Sequence, residues 1–432
     1  MLWAKSFFRG RYMLDMKFIR ENPELVKRAI INKNEKTDLN SVLELDKKKR
    51  ELQFKFDTMR AEQNTVSKQI PELKKAKKDT TEIVKQMKDI SNKIKDISTE
   101  LSAINEELET ELLGIPNIPY SDVPIGGEEN NKFVREWGEK KQFDFMPSEH
   151  LDLIKQNELL DFKRATKLSG SGFIGYTGKG AQLERALINF MLDFHIDKHG
   201  YEEVSLPILV NRQTMIGTGQ LPKLEDDMYH VNEDDLFLVP TAEVSVTNFY
   251  AQEILPYEKL PQKFISYSPC FRREAGSYGK ETKGLQRVHQ FNKVEMVRFV
   301  KPDTSYEALE EMLTNAENIL QALGLHYRVV TLATGDLSFA SAKTYDIEVW
   351  APGADKYLEV SSISNFEDFQ AHRASIRFRN ESGKVEFVHT LNGSGLATPR
   401  TFISILESYQ NKNGMIEIPL VLQPYLNNRK IL

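Results

Sequence analysis

One cysteine, Cys270, stands in 432 residues. That scarcity excludes an intrachain disulfide framework and a zinc site built on cysteines, and it is compatible with a reducing compartment. No base lies near Cys270 in the sequence to make a thiolate, so it reads as a small buried residue. Equally absent is any apolar run approaching the ~20 residues a membrane-spanning helix needs. Neither sign of charge is in excess. Lys and Arg total 58 against 63 Asp and Glu, a formal net charge of −5. Bulk charge therefore does not mark a nucleic-acid binder, and any such surface must be local. Acid is missing from the first twelve residues, MLWAKSFFRGRY. Residues 1–12 are expected to be a short extension or a misassigned start, because MLDMKFIRENPELV from Met13 already reads as a complete beginning. A truncated organelle presequence has the same composition. What the chain does have is length and a 40% hydrophobic content, enough for two domains with a substantial core.

Asn22-Pro23 reads as a cap with proline at the first helical position, opening a short helix to about Asn32. From near Ser41 a long helix is expected. Val42, Leu45, Lys49, Leu52, Phe56, Met59, Gln63, Val66 and Ile70 fall on alternating steps of three and four, and seven of these nine are apolar. Pro71 is expected to break the pattern. It resumes at Ile83, Met87, Ile90, Ile94, Ile97, Leu101, Ile104 and Leu108. Such a seam predicts a coiled coil, and two arms around one break predict an antiparallel hairpin over residues 13–113. Its tip is rich in lysine, including Lys74, Lys75, Lys77 and Lys78. A solvated hairpin has this composition, and so does an arm that touches phosphates.

Residues 114–130 hold three prolines and three glycines within the first fourteen positions, a linker composition. Residues 131–432 then read as one α+β domain. Gly170 to Gly175 fits the string G-x-G-x-x-G, and Gly178-Lys179-Gly180 follows. Neither is framed by the strand, turn and helix of a nucleotide loop, so both are expected as glycine-rich turns. From Gln182 an apolar stripe (Leu183, Leu187, Phe190, Met191, Phe194) predicts a helix stopped by Gly200. His195 and His199 sit four apart without the glutamate of H-E-x-x-H. Glu202 to Val210 is expected as an edge strand because it contains Pro207. Gly217 to Asp227 suits a flap beside a pocket. Tyr345–Trp350 and Tyr357–Ser362 alternate around Pro352-Gly353 and predict a hairpin. Thr390 to Arg400 reads as a loop feeding a helix from Thr401 to Gln410, an arrangement suited to anions.

The most informative stretch runs from Pro269 to Val297. It predicts two strands joined by a polar loop, Ala275 to Gln286. Alternation along the second strand would place Arg287, His289, Phe291, Lys293 and Glu295 on one face. Arg272 and Glu274 share a face on the first, with Arg273 on the other. Phe291 and Glu295 are then about 13 Å apart at ~3.3 Å per residue, the span of an adenosine carrying a phosphate and an amino acid. Arginine binds two phosphate oxygens at once, a ring stacks a base, and a carboxylate holds an ammonium or a hydroxyl. A merely solvated charged face alternates in the same way.

FRREAG followed by TKGLQRVHQFNKVE resembles motif 2 of the class II aminoacyl-tRNA synthetases, in the form found in the seryl-tRNA synthetase family. The helix and proline-bearing strand before it resemble motif 1, TLNGSGLATPR resembles motif 3 with Pro399 before Arg400, and the lysine-tipped hairpin resembles that family's tRNA arm. The resemblance implies an antiparallel-sheet catalytic domain flanked by helices, and an enzyme that makes seryl-adenylate from L-serine and ATP. The seryl group would then pass to tRNA(Ser), with tRNA(Sec) a further possible acceptor. It implies that Arg272, Glu274 and Arg400 act on the phosphates and nucleotide. Arg273, Arg287, Val288, Phe291, Glu359, Val360, Ser361 and Ser362 would complete the ATP site, with Glu359 and Ser362 meeting Mg²⁺. Thr241, Ala242, Glu243, Glu295, Asn392 and Ser394 would hold serine. A homodimer through motif 1, a cytoplasmic location and no membrane contact are also implied. Two rivals stay open at this stage: an adenylate-forming enzyme of the same fold that charges a carrier protein, and a coiled-coil binding protein with an inactive synthetase domain.

Overall fold

The computed structural model describes residues 15–275 and 284–432. The expectations for residues 1–12, and for most of the 275–286 loop, lie outside the described residues. Contacts divide the chain into two compact units that part between Pro116 and Asn117.

The N-terminal unit is helical. Helix α1 (Met16–Glu21) is capped by Asp15, whose carboxylate accepts from Lys17 N at 2.8 Å. Helix α2 (Pro23–Asn32) begins on the expected proline, but the Asn22 side chain does not cap it and instead donates to Phe18 O at 3.1 Å. Helices α3 (Leu39–Lys75) and α4 (Thr81–Leu113) form the hairpin. Each residue of both seams is buried or half-buried, and Lys74, Lys75, Lys77 and Lys78 are exposed. Two apolar clusters join the arms, one of Leu52, Leu101 and Ile104 and one of Val66, Ile90 and Ile94. Pro71 does not break α3. It lies inside the helix, which runs on to Lys75. A proline there removes one N–H from the ladder and crowds the carbonyl four residues earlier, yet the helix continues past it, and the chain turns later, at Ala76 to Thr80, with Lys77 left-handed at φ 53°.

The second unit is built on an eight-stranded sheet. In chain order its strands are β1 (Lys132–Trp137), β2 (Glu202–Glu203), β3 (Gln262–Phe271), β4 (Gln290–Val300), β5 (Tyr327–Thr331), β6 (Lys343–Ala351), β7 (Lys356–Asn365) and β8 (His389–Ala397). The spatial order is β1-β5-β6-β7-β8-β4-β3-β2, antiparallel except between β2 and β3. Helices α5 (Gly178–His199), α6 (Ser305–Ala322) and α8 (Thr398–Tyr409) share with the sheet one large apolar core, which holds Leu187, Leu313, Val294, Met296 and Phe402. A second cluster contains Val297, Phe299 and Phe264 from the strands, with Ala371 and Ala374 of the short helix α7 (Phe369–Ala374).

Several expected boundaries move. Asn117, placed in the linker, is buried and its side chain donates to Ala340 O and Phe366 O at 2.9 and 2.8 Å, so it packs with the second unit. Gly178 to Gly180 are the first turn of α5, not a free turn. Gly172 is a turn residue at φ +82°, and a Cβ there would meet the His289 ring at 2.1 Å. Glu202 to Val210 is not one strand. Strand pairing stops after Glu203 and a separate strand spans Leu209–Asn211, with Pro207, which cannot donate to a ladder, in the gap between them. Thr390 to Ala397 is not a loop but most of β8, and α8 follows it directly. The Pro352-Gly353 hairpin joins β6 to β7 as expected.

Candidate active site

A cavity of about 650 Å³ opens on the sheet face opposite the main core. Period-2 alternation delivers its floor. On β4, Phe291, Lys293 and Glu295 face the cavity, whereas Val294 and Met296 enter the core. On β8, Asn392 and Ser394 face it, and Ser394 pairs with Glu295 in register. On β7, Glu359 and Ser362 both line it although they are three apart. A β-bulge permits this: Ile347 pairs with Ser361 and Glu348 with Glu359, leaving Val360 as an extra residue, and a bulge re-aims side chains beyond it.

At the buried end, Lys293 and Glu295 form an ion pair with both side chains almost sealed from solvent. Glu243 lies beside them at the start of a short helix, Glu243–Thr247. Thr241 Oγ1 accepts from Glu243 N at 3.1 Å, and Gln370 Nε2 donates to Glu243 Oε1 at 2.7 Å. Burial, and next the charge of Glu295, push the Glu243 carboxyl up to about 7; Lys293, Gln370 and Asn392 pull the other way. Two carboxylates thus face one ammonium. When both are ionised the buried end carries a net negative charge, suited to a cation with hydrogen-bonding hydroxyl or amino groups.

The open end is cationic and aromatic. The Arg272 guanidinium lies 5.2 Å from the Phe291 ring centroid. Arg287 Nη1 donates to Glu274 Oε2 at 2.9 Å, with Glu274 held left-handed at φ 52°. Arg400, in the first turn of α8, donates to Glu359 O and Oε2 at 3.0 and 3.1 Å and to Gln286 O at 3.3 Å. Beneath Glu359 and Ser362, the Asp346 carboxyl is pushed well above the usual carboxylate range, by burial first and then by Glu359. This end can stack a planar base and hold phosphates.

Most expected site residues meet here: Thr241, Glu243, Arg272, Glu274, Arg287, Val288, Phe291, Glu295, Glu359, Val360, Ser362, Asn392, Ser394 and Arg400 all line the cavity. Four do not. Arg273 points elsewhere and is exposed, its N–H bonded to Asp227 O at 2.9 Å. Ala242 is buried in the second apolar cluster. Ser361 is buried, its hydroxyl donating to Ser394 O at 2.6 Å. His289, expected on the same face as Phe291, stacks on Phe173 and bonds Tyr229 Oη at 2.9 Å. The reason is that β4 starts only at Gln290, so alternation does not extend back to His289, and Val288 takes the wall instead. The expected flap lies at the cavity, through Thr218, Gly219, Gln220, Leu224 and Asp227. His195 and His199 bond each other at 2.9 Å, and His195 faces Gly395 O at 3.1 Å. Cys270 is fully buried, and burial pushes its thiol up.

Two residues of the buried end were not assigned roles from sequence. Lys293 lay on the alternating face, which was signal enough to find it. Gln370 sits in a six-residue helix with no periodic signature.

Residues 13–119 match the family model of the seryl-tRNA synthetase N-terminal domain, and residues 223–409 that of the tRNA synthetase class II core domain (G, H, P, S and T). The chain is 57% identical over 415 residues to a serine–tRNA ligase of Caldicellulosiruptor saccharolyticus, spanning 96% of this chain and 99% of that one. To a serine–tRNA ligase of Caldanaerobacter subterraneus it is 55% identical, over 96% and 98% of the two chains. The crystal structure of seryl-tRNA synthetase from Pyrococcus horikoshii complexed with ATP is similar with a TM-score of 0.90 and 37% identity, over 97% of this chain and 99% of that chain. With 57% identity along nearly the full length, the chain belongs to the seryl-tRNA synthetases, class II ligases that use ATP to join serine to tRNA.

Proposed function

We propose that the cavity holds seryl-adenylate lengthwise, with serine at the buried end and adenosine at the open end. The observation that carries this reading is the pairing of a buried two-acid, one-lysine cluster with an arginine–phenylalanine platform, with Glu295, Lys293 and Phe291 all carried on β4. Glu295 takes the ammonium of serine, and Thr241 and Glu243 take its hydroxyl. Asn392 and Ser394 line the same chamber. Arg272 holds the α-phosphate, Phe291 and Arg400 stack the adenine from its two faces, Val288 reaches the base through its backbone, and Arg287 meets the outer phosphates.

In the first step, an oxygen of the serine carboxylate attacks the α-phosphorus and pyrophosphate leaves. In the second, the 3′-terminal ribose hydroxyl of tRNA attacks the acyl carbon and AMP leaves. Neither step needs a protein nucleophile. The chain supplies orientation and cations aimed at developing charge. Glu359 and Ser362 fit Mg²⁺. They offer a carboxylate and a hydroxyl beside the phosphates, with the orphaned Asp346 Oδ1 behind them, and magnesium favours a few hard oxygens plus substrate phosphates. When bound, the ion would neutralise charge on the ATP phosphates. The orphaned polar atom and the donor set both support this fit.

Residues 13–113 act as the tRNA arm, with Lys74, Lys75, Lys77 and Lys78 at a tip that meets the backbone of tRNA(Ser). The same contacts would serve tRNA(Sec). The enzyme works as a homodimer through α5 and the Pro207 segment, in the cytoplasm. No helix of the described residues is long and apolar enough to cross a membrane. ATP–pyrophosphate exchange measured across the twenty amino acids tests the reading: serine alone should drive exchange, and exchange driven by another amino acid as well as by serine contradicts it.

A further inference from the structure

Behind the buried end stands a glutamine that touches no part of the cavity yet holds two of its walls. Gln370, fully buried in α7, donates from Nε2 to Glu243 Oε1 at 2.7 Å and to Thr218 O at 3.3 Å. Its Oε1 accepts from the buried Thr390 Oγ1 at 2.8 Å. The Thr218 carbonyl can only accept, so the amide orientation is fixed: turned over, it would set its oxygen against that carbonyl. Three residues further along α7, Arg373 Nη1 reaches Ile216 O and Leu221 O, each at 3.4 Å. One short helix therefore grips the 216–221 loop, whose Thr218, Gly219 and Gln220 line the cavity, and grips the Glu243 carboxylate with the same amide.

We propose that Gln370, held by Thr390, is a positioning residue for serine recognition: it orients the Glu243 carboxylate toward the substrate hydroxyl and ties it to the loop above. The inference rests on the reading of Glu243 as the ligand of serine's hydroxyl. The groups that face Glu243 are Glu295 and Lys293 from β4, Asn392 from β8 and Gln370 from α7. Of these, Gln370 alone also holds the loop. A buried carboxylate that loses a neutral donor is left poorly solvated, takes up a proton more readily, and then offers a donor where the hydroxyl needs an acceptor. Serine and alanine differ only in that hydroxyl, so the effect falls on their discrimination.

The test is ATP–pyrophosphate exchange with serine and with alanine, across pH, for Gln370→Met, Thr390→Val and Glu243→Gln. Gln370→Met should lower kcat/KM for serine by about tenfold to hundredfold, leave KM for ATP unchanged, narrow the serine-to-alanine ratio and move the acid limb of the serine profile to higher pH. Thr390→Val should act in the same direction with a smaller change, and it carries the test if Gln370→Met does not fold. An unmoved acid limb together with an unmoved serine-to-alanine ratio overturns the proposal, as does an equal loss for serine and alanine with a raised KM for ATP. Glu243→Gln separates the two layers. If it leaves the serine-to-alanine ratio intact, the reading of Glu243 fails and the proposal with it. If it collapses that ratio while Gln370→Met does not change it, only the role of Gln370 is refuted.

Discussion

The two ends of the cavity use the same residue types in opposite surroundings. At the buried end, Lys293 and Glu295 are 7% and 1% exposed, and their charges are matched before a ligand arrives. At the open end, Arg272 and Glu359 are exposed, and the pairs made by Arg287 and Arg400 stand in partial contact with solvent. Charge at the first end is costly to leave unmatched, so a ligand with the wrong groups is rejected. Exposed pairs contribute little on their own and exchange partners readily when phosphate enters. Selectivity thus belongs to the buried end and nucleotide handling to the open end.

Glu295→Ala breaks that contrast most severely. It removes one half of a buried ion pair, so serine-dependent exchange should fall below detection while ATP binding, followed by calorimetry, persists. Arg272→Ala should cost about 10²–10³-fold in kcat for exchange, with serine binding retained. Phe291→Ala should raise KM for ATP about tenfold, the loss of one base–aromatic stack; an equal rise in KM for serine would mean that the two ends are not separable. A subtler difference lies in pH. The Glu243 carboxyl is raised to about 7, so kcat/KM for serine should climb as pH rises through about 7 while KM for ATP stays flat. The same group makes stability fall with pH. The folded state holds the proton more tightly, so its contribution is complete below the unfolded pKa of ~4.3 and is lost as pH rises through about 7. Glu243→Gln should flatten that slope in denaturant titrations. The smallest effect on either end should follow removal of residues 41–112, which lie within the N-terminal compact unit. Exchange should be unchanged and tRNA charging lost, and charging that survives the deletion contradicts the arm's role.

Periodic features were legible before the structure. The arm's seam carried over residue by residue, because a seam is a statement about spacing and spacing is visible in a sequence. So was the floor of the cavity on β4, where Phe291, Lys293 and Glu295 alternate. What failed were assignments resting on periodicity beyond an element's end. His289 was placed with Phe291 although the strand begins between them, and Pro71 was given a helix end that comes four residues later. The bulge at Val360 brings Glu359 and Ser362 to one face against simple alternation, and only the register reveals it. Gln370 was invisible because its importance lies in contacts with residues 127 and 152 positions away, which no local pattern encodes.

The most direct measurement is a crystal structure with a non-hydrolysable seryl-adenylate analogue, seryl-sulfamoyl-adenosine. The account predicts the adenine against Phe291, the sulfamoyl group at Arg272 and the seryl ammonium and hydroxyl among Glu295, Thr241 and Glu243. An analogue bound in the reverse sense, or outside the groove floored by β4, contradicts it.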